Sequence, residues 1–373
     1  MTKKIQLIFS IMLAAMSQAY AQQLSDPVQV CSFNTTLEEN SGLVWLDGKL
    51  WTHNDSGNSN ELFQIDTSDC SVSRIVQISN AVNTDWEDIC ADENHVYIGD
   101  FGNNNGDRTD LCIYKVSRDF VNQAEIEDIN ADSITFHYPN QEQFEWDDYS
   151  TNFDCEAMIA DGDSLYLFSK NWGNLKTYLY ALPKTPGDYP AVLLDSFNVE
   201  GLITGASADT AENKLFILGY NEYMTSSFVF FINDYPGHNY FDSNIQKFTL
   251  GFIFHQTEGI AVKNDEIMIS HESFQSVGAG LHRTFLDENT GFSPLARSEN
   301  PYFYPNPVNQ TLHLENCDNF NQLFIKNVEG SLLLEKRLQQ DSLSISINNL
   351  TPGTYILELR GNKNDFTDIL IVE

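Results

Sequence analysis

Positive charge is scarce in this chain. Only 20 Lys and Arg residues stand against 53 Asp and Glu, giving a formal charge of -33 over 373 residues. That excludes a nucleic-acid-binding surface, which needs clustered Lys and Arg to neutralise phosphates. It leaves room for cations and favours solubility. Beyond the N-terminus no apolar run reaches the ~20 residues that a transmembrane helix needs. The six cysteines, Cys31, Cys70, Cys90, Cys112, Cys155 and Cys317, show no CxxC or other zinc spacing. There is no G-x-S-x-G nucleophile elbow, no phosphate loop and no dinucleotide fingerprint. Nor does any long stretch repeat with the helical period.

What is present begins with "MTKKIQLIFSIMLAAMSQAYAQQ". Lys3 and Lys4 are followed by a short apolar run, Ile5 to Met16, and by the small-x-small form Ala19-Tyr20-Ala21. This pattern predicts a secretory signal peptide over 1–21 and a mature start at Gln22. An exported chain can form disulfides, and Cys31 with Cys70 is the expected pair. Cys90 and Cys112 fall in apolar strands and read as buried thiols.

Self-comparison is the most informative step. Five segments share a small or acidic start, an apolar strand, a polar turn and a second strand. They are "SGLVWLDGKLWTHND", "EDICADENHVYIGD", "EAMIADGDSLYLFSK", "GASADTAENKLFILGYN" and "EGIAVKNDEIMISHE", with starts 46, 69, 49 and 53 residues apart. Each leads to a third strand pattern and four lead to a fourth, rich in aromatic and β-branched residues with Asn, Asp and Gly at the turns. Four strands per unit of ~45–50 residues predict an all-β fold, a β-propeller over 22–295. The fifth unit lacks its fourth strand, and "PVQVCSF", Pro27 to Phe33, is a spare one that closes the ring. The count is five blades. A six-bladed ring is the alternative, if the 69-residue interval hides a degenerate blade in Ser117 to Asn152. The acidic, polar character of that interval favours a long loop.

Successive strands of a blade are antiparallel, so strand one begins on the face where strand two ends. Three starts carry a carboxylate, Glu87, Glu156 and Glu258. The second strands end at His53-Asn54-Asp55, Asp100, Lys170-Asn171, Asn221 and His271-Glu272. These residues are expected to form a polar ring at the mouth of the central channel. His53, Asn54, Asp55, Asp100, Lys170, Asn171, His271 and Glu272 are its candidate ligand-binding rim. Glu87, Glu156 and Glu258 are candidate ligands for calcium, which takes six to eight oxygens. Each position also has a structural reading. Glutamates here can staple blade to blade, and Asp-Asn-Gly runs after strands are commonly turns. "DFGNNNGDR", Asp100 to Arg108, has the composition of a calcium loop but not its spacing. Trp146, Tyr149, Trp172, Tyr189, Tyr220, Tyr223, Tyr235 and Tyr240 lie in loops or at strand ends, where aromatic faces stack on sugars or fill blade cores.

After "SPLARSEN" the chain changes character. Pro301, Pro305 and Pro307 mark a boundary, and short alternating strands follow. A linker over 296–303 and a small antiparallel β-sandwich over 304–373 are expected. "YPNPVNQTLHLE", "IKNVEGSLLLEK", "INNLTPGTYILEL" and a terminal strand closely resemble the type A C-terminal sorting domain of the Bacteroidetes type IX secretion system. The resemblance implies recognition in the periplasm by the type IX machinery, passage across the outer membrane, and release or surface attachment after cleavage. The end "DILIVE" departs from the lysine-rich tip common in such domains. In the larger region, "LWTHNDSGN", "NTDWEDICAD", "YIGDFGNN", "TNFDCEAM" and "LFSKNWGN" are similar to secreted Bacteroidetes propeller proteins of undefined function. The "EGIA" start also has a slight similarity to propeller lactonases and calcium-dependent phytase-like esterases.

Three functions follow as expectations. The first is a secreted propeller binding an ion or small ligand, including a glycan, at its mouth. The second is a calcium-dependent phosphoesterase, lactonase or glycan-active hydrolase at the same place. The third is a surface interaction platform. The sorting pattern lies wholly in the tail, so deleting Tyr304 to Glu373 should leave a folded propeller that is no longer exported. Circular dichroism of the truncated protein and immunoblots of culture medium check this. Normal levels of truncated protein in the medium would refute the tail's role.

Overall fold

A computed structural model describes residues 23–144 and 149–287, and toward the C-terminus 302–304, 308, 310–315, 320–327, 331–338, 343–361 and 365–372. The predicted signal segment 1–21, Trp146, Cys317 and linker residues 296–301 lie outside the described residues. The chain divides into two compact units, Met1–Glu288 and Asn289–Glu373.

The first unit is built of five sheets. The first is Asn40–Leu46, Lys49–Asn54, Glu61–Ile65 and Val72–Ile78; the second is Trp86–Ala91, His95–Asp100, Cys112–Ser117 and Asp132–His137. The third is Cys155–Asp161, Ser164–Ser169, Lys176–Pro183 and Val192–Asn198; the fourth is Leu202–Asp209, Lys214–Tyr220, Ser227–Asn233 and Asn244–Leu250. In the fifth, Thr257–Lys263, Glu266–His271 and Gly280–Asp287 are joined by N-terminal Val28–Ser32 and Gln23–Leu24, both antiparallel to Gly280–Asp287. The long second interval forms no further sheet among the described residues. It supplies the fourth strand Asp132–His137 to the second sheet, which Gly187–Pro190 extends at its edge, and Asp128–Ile129 to the edge of the first.

The local sequence explains the strands. Inner strands are covered on both faces and read as nearly continuous apolar runs, such as Lys214–Tyr220. Outer strands alternate, as in Asp132–His137, where only Ile134 and Phe136 are buried. The first hairpin turns through Asp47 and Gly48, both at positive φ (49° and 79°), a two-residue turn whose twist matches the strands it joins.

First strands contact one another in a closed cycle, first sheet to second, third, fourth, fifth and back to first. Apolar cores lie between successive sheets. Trp51 and Trp86 join the first core, Tyr97 and Tyr180 the second, Phe168 and Phe230 the third, Phe231 and Ile269 the fourth, and Leu43 and Leu281 the fifth. The fold is therefore a β-propeller. Cys31 of the closing strand is disulfide-bonded to Cys70 of the first sheet, so the N-terminal segment completes the last sheet and is tied covalently to the first. Cys90, Cys112 and Cys155 are free and buried.

The second unit is a small sandwich. Tyr302–Tyr304, Thr311–Glu315 and Leu343–Ser346 form one sheet; Leu332–Arg337, Phe320–Asn327, Gly353–Gly361 and Asp365–Val372 form the other. Leu312, Leu314 and Ile345 of the first share a core with Leu323, Ile325, Leu357 and Leu359 of the second.

Closure generates a prediction. Removing Pro27 to Phe33 exposes the edge of Gly280–Asp287 and opens the last core, so the whole propeller should melt at lower temperature and denaturant. A Cys31→Ser/Cys70→Ser variant, which keeps the strand but frees a 39-residue loop, should lose roughly 2–4 kcal/mol. Equilibrium denaturation of both against the parent checks this; unchanged midpoints would show that the ring does not depend on the strand.

Candidate functional site

The first strand of every propeller sheet carries an irregularity at its start, where it has one residue more than its partner. The shifts fall between Ser41 and Leu43, Trp86 and Asp88, Cys155 and Ala157, Ile203 and Gly205, and Thr257 and Ile260. A bulge re-aims the extra residue's side chain. The extra residues include Gly42, Glu87, Glu156, Thr204 and Glu258, so three of the five irregularities carry the carboxylates singled out in the sequence. Gly42, at φ 46°, has no room for a side chain: a Cβ there would lie 2.8 Å from His53 Nε2.

Glu87, Glu156 and Glu258 meet in one pocket of 380 Å³, with Asp55, Lys170 and Trp172 also on its wall. They are not equivalent. Oxygens of Glu87, Asp55 and Asp85 lie within 4.8 Å of one another. Glu156 is held by Lys170 Nζ at 2.6 and 2.7 Å. Glu258 is buried and its Oε2 has no partner. Burial raises the Glu87 carboxyl well above its ordinary range, and the negative charges of Glu156 and Asp55 add to it. Burial pushes Asp55 up to about 6 and Glu258 up to about 7. Asp85 is pushed up to about 7 by burial and by Asp55 and Asp154. Glu272 is pushed up to about 9 by burial and by Glu258 and Asp55. Burial opposes the charge on Lys170, yet Glu156 keeps it firmly protonated.

The remaining rim candidates sit elsewhere. His53 is fully buried, edge-on to Trp86 at 5.7 Å, and burial lowers it to about 4. The Asn54 amide donates to Thr36 O at 2.7 Å. Of these three neighbours, only Asp55 reaches the pocket wall. Asp100 pairs with Arg108 at 2.9 Å, which makes the Asp100 to Arg108 segment a salt-bridged turn. Asn171 is buried, accepts from Ser169 Oγ at 2.6 Å and belongs to the turn before Lys176. His271 lies in a group with His255 and His282. Burial and its neighbours His255 and His282 lower His271 to about 4; burial and His255 do the same for His282. Among the aromatics, Tyr149, Trp172 and Tyr220 line the pocket, and the first two rings pack 4.7 Å apart. Tyr235 and Tyr240 are core, Tyr189 packs against the second core, and Tyr223 is exposed.

Blade-to-blade stapling falls to shorter side chains. Asp88, fully buried, accepts from Ile89 N at 2.8 Å, Met158 N at 2.7 Å and Ala206 N at 3.4 Å, joining three sheets near the axis. Asp154 accepts from Asn103 N at 2.7 Å and Trp172 Nε1 at 2.8 Å. Ser41 Oγ donates to Glu87 O at 2.5 Å and Thr204 Oγ1 to Thr257 O at 2.6 Å. Asp85, Asp88 and Asp154 were not singled out in the sequence. The repeated Asp-x-Glu of Asp85-Trp86-Glu87 and Asp154-Cys155-Glu156 was the signal that could have found two of them.

Fold and site define a β-propeller with an acidic pocket and a separate sandwich domain. Residues 302–373 match the family of secretion-system C-terminal sorting domains. The tail is a type IX sorting domain, and it directs the protein to the cell surface or the extracellular space. Among the described residues no helix is long and apolar enough to cross a membrane. No curated protein matches the chain. Among solved structures, PorZ, a surface component of the type IX secretion system of Porphyromonas gingivalis, matches at 12% identity and TM-score 0.34, over 90% of this chain and 45% of PorZ. The chain thus spans less than half the length of PorZ. Myxococcus xanthus glutaminyl cyclase matches at 11% identity and TM-score 0.39, covering 72% of this chain and 97% of the cyclase. A GH43 β-1,3-galactosidase matches at 11% and 0.39, covering 75% and 67%.

The raised carboxyls make stability depend on pH. A carboxyl whose folded pKa exceeds its unfolded value holds its proton more tightly when folded, so its stabilising contribution is full at low pH and is lost as pH rises through the folded pKa. For Asp85, Glu258 and Glu272 that loss extends from the ordinary carboxylate range to about 7–9. The lowered histidines act with opposite sign, but only below their ordinary value near 6.5. Chelator-treated protein should therefore melt at steadily lower temperature from pH 7 to 9. A flat or rising melting temperature over that window contradicts the crowding of buried carboxyls.

Proposed function

We propose that this exported propeller binds calcium at its mouth and, at that ion, a small hydroxyl-bearing ligand such as a glycan end. The observation that carries the reading is the gathering of Asp55, Asp85 and Glu87 oxygens within 4.8 Å. The unpartnered Oε2 of buried Glu258 on the same pocket wall supports it. Calcium ligands at 2.3–2.6 Å from the ion stand at most about 5 Å apart, so this group needs little rearrangement to enclose one. A cation also relieves the repulsion that raises these carboxyls. All the donors are hard oxygens, which suits calcium better than softer ions. Trp172 and Tyr149, packed edge to face at 4.7 Å on the pocket wall, supply aromatic surface for contact with a sugar ring.

A second reading has its own support. Glu258 and Glu272 hold protons near or above neutral pH, beside carboxylates suited to a metal. A proton-holding acid next to a metal ion is a pairing that hydrolysis uses. A screen of phosphoesters, lactones and glycosides with and without calcium tests it; turnover that needs both calcium and Glu272 would favour this reading over binding alone.

Calorimetric titration and thermal melts test the calcium site. Calcium at a hundred times its Kd should stabilise the parent by about 2.7 kcal/mol. Glu87→Gln and Asp85→Asn should fold but lose most of that gain, while Asn171→Ala should keep it. A parent whose melting temperature ignores calcium would sink the metal reading, and a gain retained in both variants would move the ion elsewhere.

A further inference from the structure

A second group of metal-binding side chains stands apart from the acidic pocket. His271 ends the strand Glu266–His271 and His282 lies in the neighbouring strand Gly280–Asp287. His255 lies in the connection between Asn244–Leu250 and Thr257–Lys263. One ring nitrogen of each lies within 4.8 Å of the other two. The ring centres are 4.5 Å apart for His255 and His271, 5.1 Å for His271 and His282, and 6.0 Å for His255 and His282.

We propose that His255, His271 and His282 form a binding site for a divalent transition cation, best matched by zinc, with solvent as the fourth ligand. The tautomers are arranged for it. His255 Nδ1 lies 2.9 Å from Ile253 O and His271 Nδ1 lies 3.3 Å from Glu272 O. A carbonyl can only accept, so each Nδ1 carries the proton and each Nε2 presents a lone pair. A metal-bound histidine is fixed in the same way, by donating its other nitrogen to a backbone carbonyl. His271, 2% exposed, has no partner at Nε2, and His282, 8% exposed, has none at Nδ1. Two buried ring nitrogens without partners, beside a third imidazole, carry a free-energy cost, which a shared cation removes.

Ring packing alone does not explain this arrangement. Phe252 covers one side, 4.7 Å from His282 and 5.1 Å from His255, and an apolar residue at 271 or 282 would pack there without orphaned nitrogens. Three nitrogens select zinc over calcium, which prefers oxygen. Tetrahedral zinc with bonds of 2.0–2.1 Å sets its nitrogens about 3.3 Å apart. Half-buried His255, on a connecting segment, can supply the small closure. Among the described residues no fourth His, Cys, Asp or Glu joins the group, so one position stays open to water or an anion. The site ties the segment leading to Glu258 onto the closing sheet.

The test uses the mature full chain, purified without a polyhistidine tag and stripped of metal. Titration with zinc should give one tight equivalent per chain, and cobalt substitution should give the strong visible bands of a tetrahedral site. His255→Ala, which removes the half-buried ligand with least disturbance of the core, and His282→Gln should each weaken zinc binding by at least the roughly 10–100-fold that loss of an outer-shell partner costs. Glu87→Gln and Asp85→Asn should leave zinc binding unchanged, which keeps this site distinguishable from the acidic one. No tight equivalent in the folded parent, or a tight equivalent that survives both histidine variants, would overturn the proposal. Weak binding with octahedral cobalt spectra would overturn the three-nitrogen geometry.

Discussion

Burial of each propeller sheet on both faces is the constraint on which the structure depends. A strand such as Leu202–Asp209 or Lys214–Tyr220 has apolar side chains facing two neighbours, so no sheet is stable at the end of a row. A closed ring supplies every sheet with two neighbours and leaves no inner edge unpaired. The geometry requires the last sheet to be finished by strand material next to the first, and Val28–Ser32 fills that place. The Cys31–Cys70 disulfide joins this strand to the first sheet. Stability of the N-terminal strand, the last core and the ring is therefore one property rather than three.

Closure has an electrostatic consequence. Five first strands begin around one axis, and at all but the first, where the extra residue is Gly42, the irregularity presents a side chain. Where that side chain is glutamate, charges distant in sequence become neighbours in a partly water-excluded space. Lys170 neutralises Glu156, but among the described residues Asp55, Asp85, Glu87, Glu258 and Glu272 have no such ion pair, and burial and mutual repulsion raise their carboxyls. The propeller is rigid in its hydrogen bonds near the axis, where Asp88 joins three sheets. In the acidic pocket, by contrast, Glu258 Oε2 has no hydrogen-bond partner. A pocket of this kind favours a cation electrostatically, and its oxygen donors favour a hard one. The histidine group, built of nitrogens, is the proposed site for a softer ion. One propeller thereby presents two donor sets with different preferences.

Much of this was legible in the chain because it follows from local pattern. Apolar runs separated by Asn, Asp and Gly turns define strands, their recurrence defines sheets of four, and the missing strand of the fifth unit points to Pro27–Phe33. The tail's strand and turn motifs carry its sorting identity over 302–373. Cys31 with Cys70 was the expected pair, and the structure contains that bond. The acidic strand starts at Glu87, Glu156 and Glu258 were legible as a set because each occupies the same place in its repeat.

Partnership was not legible, because it depends on side-chain direction and on distance between repeats. His53 and Asp55 are two residues apart and would share a face on a continuous strand, yet one turns into the core against Trp86 while the other reaches the pocket, because the strand ends at Asn54 and Asp55 belongs to the following loop. Glu156 and Glu87 occupy equivalent positions, but only Glu156 has a lysine within reach. His255 was not singled out in the sequence and gained meaning only when the fold brought His271 and His282 beside it. The sequence by itself determined the strands, their grouping, the closing segment and the export signal, because periodicity and turn chemistry are local. Tertiary structure alone decided which carboxylates share a pocket, which is neutralised and which histidines converge, because burial and proximity across the ring set charge, orientation and ligand geometry.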